Sequence, residues 1–318
     1  MKAPHGIHVI DTGFVRPRLD ASYLIVEQGR GAFIDCGVNH SVPRLLAALA
    51  DAGLAPADVD WLILTHVHLD HAGGAGELLR QLPNARLVVH PRGARHMIDP
   101  SRLWAGATAV YGEAEMQRSY GALVPVPAER VVEAPDGHEV FLAGRRLICL
   151  DTPGHARHHN AIHDPASGSV FSGDTFGVSY REFDTAQGAF ILPTTSPVEL
   201  DPPALHRSID RLLALQPVAI YPTHFGRLEA VQRLGQDLHR WIDAMVALAE
   251  QADQAEPADK AARHARIRAG LQGLYAAGVA RHGWMGSAAE GARLLAVDIE
   301  LNAQGLGVWL DQRAQRQP

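Results

Sequence analysis

The chain predicts a layered α/β protein followed by a helical tail, and three observations carry that prediction. Short apolar, β-branched runs alternate with helix-like patterns through the first two thirds of the sequence. Many of those runs stop at a turn that contains Gly or Pro and a histidine or aspartate. Beyond residue 226 the strand-like runs cease and apolar residues recur at helical spacing.

Strands are expected at 7–10, 22–27, 31–35, 61–64 and 86–90, with helices at 42–52 and 77–82 among them. An insert at 101–127 holds Leu103, Trp104, Tyr111, Met116 and Tyr120 and is expected to be helical. Strands resume at 130–133, 139–141, 146–150, 160–163, 169–171 and 218–221, and a helix at 203–215 separates the last two. A second, Pro-rich insert at 175–203 holds Phe176, Tyr180, Phe183 and Phe190. Long inserts in compact domains usually serve a site. Both are therefore expected to roof one, with Phe176, Tyr180 and Phe190 as candidate substrate-pocket residues.

In the tail, Leu228, Val231, Leu234, Leu238, Trp241, Ile242, Met245 and Leu248 mark a helix, and a polar stretch at 251–259 with Pro257 ends it. Ile267, Leu271, Leu274 and Tyr275 mark a second. Ser287-Ala288-Ala289-Glu290 reads as a capping box opening a last helix through Leu294, Leu295, Ile299 and Leu301. The organisation expected is a catalytic domain at 1–226 and a helical extension at 227–318, the extension offering a surface for a homodimer.

Composition narrows the function classes. A formal net charge of −6 disfavours nucleic acid, which calls for a basic stripe. No apolar run is long enough to span a bilayer. The opening residues, Met1 to Ile7, lack the apolar core of a signal peptide, so a cytoplasmic location is expected. Two cysteines, Cys36 and Cys149, sit in or beside apolar strands and read as buried free thiols.

The chemistry concentrates in Thr65-His66-Val67-His68-Leu69-Asp70-His71, directly after the apolar run Trp61-Leu62-Ile63-Leu64. Residues two apart on extended chain point the same way, so His66 and His68 can face one side. Ala72-Gly73-Gly74 gives the backbone freedom to turn after Asp70 and His71. Imidazole and carboxylate suit zinc, and also iron or manganese. Four donors at this density read as halves of two neighbouring metal sites. Further donors follow later strands: His155 in Asp151-Thr152-Pro153-Gly154-His155, Asp174 in Ser172-Gly173-Asp174-Thr175, and His224 in Tyr221-Pro222-Thr223-His224-Phe225-Gly226.

This series, with Phe33-Ile34-Asp35-Cys36-Gly37 upstream, resembles the metallo-β-lactamase superfamily over residues 7–226. The resemblance implies an αββα sandwich with metals at one edge between two sheets, and a C-terminal helical extension of a kind some relatives carry. It implies two divalent metal ions, zinc foremost, with iron or manganese as alternatives. One ion would be held by His66, His68 and His155, the other by Asp70, His71 and His224. Asp174 would bridge both, and Asp35 would steady the ligand loop from behind. Two cations about 3.5–4 Å apart can share a water, acidify it and polarise the group it attacks. Asp70 would be the catalytic residue, orienting that nucleophile or moving its proton.

The expected reaction is hydrolysis of a small-molecule ester, thioester or lactone by the shared hydroxide. Class B β-lactamases carry cysteine where Asp174 stands, which disfavours β-lactam cleavage. The hydroxyacylglutathione hydrolases and the quorum-quenching lactonases share the ligand set. No counterpart of the former's basic thioester-binding signature, and no clear counterpart of the latter's pocket tyrosine, is evident here. The alternative is an iron-dependent oxidoreductase of the persulfide dioxygenase kind on the same ligands. His158 and His159 match no ligand position and are expected to be structural.

Overall fold

The computed structural model describes residues 4–316; the first three and last two residues of the spans expected above lie outside it. The chain is a mixed α/β protein with two sheets and helices, ending in a helical extension. It divides into two compact units.

The first unit takes the chain up to Thr152, then Arg157–Gly173 and Pro217–Glu229. Its larger sheet runs β1 (Ile7–Asp11), β2 (Ala21–Glu27), β3 (Arg30–Ile34), β4 (Val59–Ile63), β5 (Arg86–Val89) and β6 (Val131–Glu133), in that spatial order. The first three pair antiparallel and the rest parallel. Each parallel step needs a crossover. Helix α1 (Val42–Asp51) supplies the first; α2 (Leu69–Ala72) and α3 (Ala75–Gln81) the second; α4 (Pro91–Ile98), α5 (Ser101–Tyr111) and α6 (Glu113–Ser119) the third.

The smaller sheet holds β7 (Glu139–Leu142), β8 (Arg145–Asp151), β9 (Asn160–Asp164), β10 (Ser169–Gly173) and β11 (Ala219–Pro222), ordered β11-β10-β9-β8-β7. Only β10 and β11 pair parallel within it.

Period-two alternation places the core. On β2, Tyr23 and Ile25 face one cluster while Leu24 faces another; Ala32 and Ile34 alternate likewise with Phe33, and Val88 with Leu87 and Val89. One cluster lies between the sheets, where Tyr23, Ile34 and Ile63 meet Leu147, Cys149, Ile162 and Phe171. The other packs the larger sheet's outer face on Leu45 and Leu49 of α1, Leu78 and Leu79 of α3, and Met97 of α4. Leu62 is fully buried there, and truncating it to Ala would cost about 2–5 kcal/mol.

The second unit gathers Pro153–Ala156, Asp174–Gln216 and everything from Ala230 onward. It contains α7 (Pro202–Ala214), α8 (Val231–Ala255), α9 (Lys260–Arg281), α10 (Ala288–Leu294) and α11 (Ala296–Arg316). The segments at 153–156 and 174–216 thus group with the C-terminal helices rather than with the sheets.

Asp201, Asp259 and Ser287 cap the starts of α7, α9 and α10 by accepting from backbone N–H groups. Helix α8 continues to Ala255, five residues into the stretch expected to break it, and ends before Pro257. The single last helix expected from residue 287 is two, because Leu295 leaves helical geometry at φ −100°, ψ 7°.

Both cysteines are free and buried. Among the described residues, no helix is long and apolar enough to cross a membrane.

Candidate metal centre

Strand β4 delivers the first donors. Its chain continues through Thr65 and His66 to His68, which stands at the N-cap of α2 in extended geometry. One turn of α2 then carries Asp70 and His71. Strand β11 ends at Pro222 and delivers Thr223 and His224. The donor atoms of Asp70, His71 and His224 all lie within 4.8 Å of one another. Asp70 Oδ2 stands 3.6 Å from Nε2 of His71 and 3.6 Å from Nε2 of His224. His66 Nε2 and His68 Nδ1 face each other at 2.8 Å.

What holds these rings also sets which nitrogen each one offers. His224 Nδ1 donates to the Leu19 carbonyl at 2.8 Å. His71 Nδ1 faces Asp35 Oδ2 at 3.3 Å. Thr65 Oγ1 donates to Asp35 Oδ2 at 2.7 Å, and so accepts from His66 Nδ1 at 3.1 Å. Each of these rings is thereby fixed with Nε2 turned inward, the arrangement that second-shell acceptors impose on metal-binding histidines.

Asp35 is the hub. It is buried, it takes Thr65 N–H on Oδ1 at 2.8 Å, and it takes Thr223 Oγ1 on Oδ2 at 3.0 Å. Its φ of 54° is a strained value for a residue other than glycine.

Within the second unit, His155 Nε2 lies 3.4 Å from Asp174 Oδ2, and His155 Nδ1 donates to the Thr194 carbonyl at 3.1 Å. Gly173, just before Asp174, has φ +50°. A Cβ there would come within 2.5 Å of His159 Nε2 and 2.8 Å of Thr65 Cβ, so this position demands glycine. Imidazoles with their outer nitrogens engaged, grouped with carboxylates, are the donor set that zinc, iron or manganese takes. The residues present fit divalent ions.

His158 and His159 are neighbours of this cluster. His159 is buried, bonds Thr152 Oγ1 through Nδ1 at 2.8 Å, and stacks on His66 at 4.9 Å between ring centroids. His158 meets the His68 ring edge-on at 5.5 Å.

The inserts divide between packing and lining. In the first, Met116 and Tyr120 pack with Leu103 and Trp104 against Leu69, the residue between His68 and Asp70. In the second, Phe176 is fully buried and Tyr180 donates its hydroxyl to Asp298 of α11 at 2.8 Å. Phe190 stacks edge-on with Trp241 and Phe183 at 5.9 Å. It also lines a cavity of about 450 Å³ with Arg233, Arg240, Trp241, Arg281 and His282.

Asp20 was not legible as a site residue. It is fully buried, Oδ2 accepts from Thr12 Oγ1 at 2.8 Å, and Oδ1 has no hydrogen-bond partner. Burial pushes its carboxyl up to about 7, against the opposing pull of His224 and His71; the Asp70 charge adds to the rise. Thr65 and Thr223 did leave a signal: each directly precedes a candidate histidine after a strand, and both hydroxyls converge on Asp35.

The sequence model of the metallo-beta-lactamase superfamily matches residues 15–224. Among curated proteins, the metallo-beta-lactamase fold-containing protein ST1585 of Sulfurisphaera tokodaii is 29% identical over 226 residues, 70% of this chain and 78% of that protein. A hydroxyacylglutathione hydrolase of Stenotrophomonas maltophilia is 33% identical over 152 residues, 48% of this chain and 44% of the relative. The chain spans about half the length of the relatives of that name. The solved structure of ST1585 from Sulfolobus tokodaii superposes with a TM-score of 0.67 at 23% identity, covering 95% of this chain and 98% of that one. The metallo-beta-lactamase family protein TTHA1429 from Thermus thermophilus gives 0.65 at 22%, covering 98% and 94%. At these identities the likeness shows the fold, and it extends over the helical tail.

Proposed function

Because the chain belongs to the metallo-β-lactamase superfamily, we propose that it is a metal-dependent hydrolase of a small-molecule ester, thioester or lactone. The observation that carries this reading is the grouping of Asp70, His71 and His224, with donor atoms within 4.8 Å of one another. These three would hold one ion, and His66 with His68 would contribute to a second. When bound, two divalent ions supply an acidified water and a Lewis acid for the carbonyl it attacks.

The protein's own groups do the rest. Asp70 is the open member of its trio, its side chain 25% exposed against 0% for His71 and 9% for His224. A carboxylate so placed can orient the attacking water and take its proton. Asp35 and the Leu19 carbonyl hold His71 and His224 in their rotamers before substrate arrives, so no reorganisation is needed during reaction. The relatives named hydroxyacylglutathione hydrolase support a thioester among the substrates. The net charge of −6 favours a small molecule over nucleic acid. Zinc is the first choice of metal. Iron in the same donors, turning the chemistry to oxidation, is the competing outcome.

The test is metal quantification on protein purified with and without oxygen, alongside a panel of thioesters, lactones, phosphodiesters and a chromogenic β-lactam. Hydrolysis of a thioester or lactone that stops on chelation is expected. Oxygen consumption on a persulfide with no hydrolysis of any panel member would overturn the reading.

A further inference from the structure

Helices α7 and α8 carry the same short pattern, His-x-x-x-Asp, as His206 with Asp210 and His239 with Asp243. A spacing of four puts each pair on one helix face. The two faces meet. His206 Nδ1 and His239 Nδ1 lie 2.6 Å apart, with the rings nearly parallel at 7° and 4.9 Å between centroids. Each outer nitrogen is then met by the carboxylate of the opposite helix: His206 Nε2 lies 3.2 Å from Asp243, and His239 Nε2 lies 3.0 Å from Asp210.

This arrangement fixes the tautomers. An ionised carboxylate only accepts, so each Nε2 carries the hydrogen and each Nδ1 is left with its lone pair. Two lone pairs pointed at each other at 2.6 Å repel unless a cation sits between them. The order carboxylate–imidazole–gap–imidazole–carboxylate is how second-shell acids orient histidines toward a metal. Arg240, next to His239 in the chain, is paired with Asp237. The imidazoles are about three-quarters covered, their side chains 27% and 24% exposed, while the carboxylates face solvent.

We propose that His206 and His239 form a separate surface site for a divalent transition ion of the zinc or copper kind, completed by water. Zinc–nitrogen bonds of about 2.0–2.1 Å set two ligand nitrogens about 3.3 Å apart, so a small rotation of both rings opens the gap enough. The ion accepts both Nδ1 lone pairs, in place of any proton held between them, and a proton so displaced leaves to the buffer. Bound there, it clamps α7 to α8 without touching the residues proposed for hydrolysis.

The test uses the full chain with its hydrolytic centre loaded with zinc. Equilibrium dialysis against zinc, with metal counted by mass spectrometry, is run on the native protein and on the double variant His206→Gln/His239→Gln. The native chain should retain one zinc more than the variant, at equal hydrolytic activity, and added zinc should raise its unfolding midpoint more than the variant's. The Asp210→Asn/Asp243→Asn variant should hold the extra ion at least about tenfold more weakly. Equal zinc content in the native protein and the histidine variant, or a proton shared between the rings that zinc fails to displace, overturns the proposal.

Discussion

Asp35 Oδ2 and His71 Nδ1 stand 3.3 Å apart, and the same oxygen accepts hydrogen bonds from Thr65 and Thr223. One buried carboxylate thereby ties together the chain after β4, the chain after β11 and an imidazole of α2. Asp35→Asn keeps the shape but weakens the acceptor. Metal affinity should fall about 10- to 100-fold, with modest loss of stability. Competition with a chromophoric chelator measures it, and an unchanged affinity would remove Asp35 from the centre's support.

Asp174→Ala should lower metal content per chain and turnover together, because this carboxylate would serve both ions. Elemental analysis and rate assays on the same preparation provide the check. A variant that keeps its metal and its rate would sink the bridging role.

Asp20 gives the metal-stripped protein a pH signature. Its carboxyl titrates near 7 when folded, against 3.8 as the ordinary value, because burial disfavours the charge. The folded state therefore holds the proton through a window in which the unfolded state has lost it. Stability from this group is fully present below about pH 4 and is lost as pH rises toward 7, by at most about 4 kcal/mol. Urea unfolding after chelation should show that fall, and Asp20→Asn should flatten it. A native protein with no slope in that window would contradict the assignment.

Neither thiol should react in the native state. Burial pushes Cys149 up to about 12 and Cys36 well above its ordinary value, and the thiolate is the reactive form. A colorimetric thiol reagent should find both groups in denaturant and neither without it.

Arg145 and Asp164 form a buried ion pair, Arg145 Nε to Oδ1 at 3.1 Å, with side chains 3% and 0% exposed. Arg145→Met leaves Asp164 charged and unmatched, at a cost of about 3–5 kcal/mol. Chemical denaturation would register it as a lowered midpoint with the slope unchanged.

The strands were legible because each is a short apolar run closed by a Gly- or Pro-containing turn, a pattern set by neighbours in sequence. Asp70, His71 and His224 were legible for the same reason: each stands just past a strand. Asp20 was not. It sits between Leu19 and Ala21 with no motif around it, and only the approach of His71 and His224 gives it meaning. What Tyr180 bonds to was not legible either, because an aromatic in a Pro-rich loop carries no local cue to its contacts. Its partner, Asp298, is 118 positions away. The break between α10 and α11 was hidden for the opposite reason: Leu294 and Leu295 continue the helical pattern while the backbone departs from it.

The bond from His155 to the Thr194 carbonyl carries a consequence for how this centre can vary. The next amide, Thr195 N–H, donates to Asn302 Oδ1 at 2.9 Å, and Asn302 in turn donates to Tyr275 and to the Pro193 carbonyl. The carbonyl that this imidazole bonds thus lies in a segment anchored to α9 and α11. Trimming the tail would let the ring swing, and a substitution at Asn302 would re-aim it without altering any donor. The tail therefore bears on the His155 ring without supplying a donor residue itself.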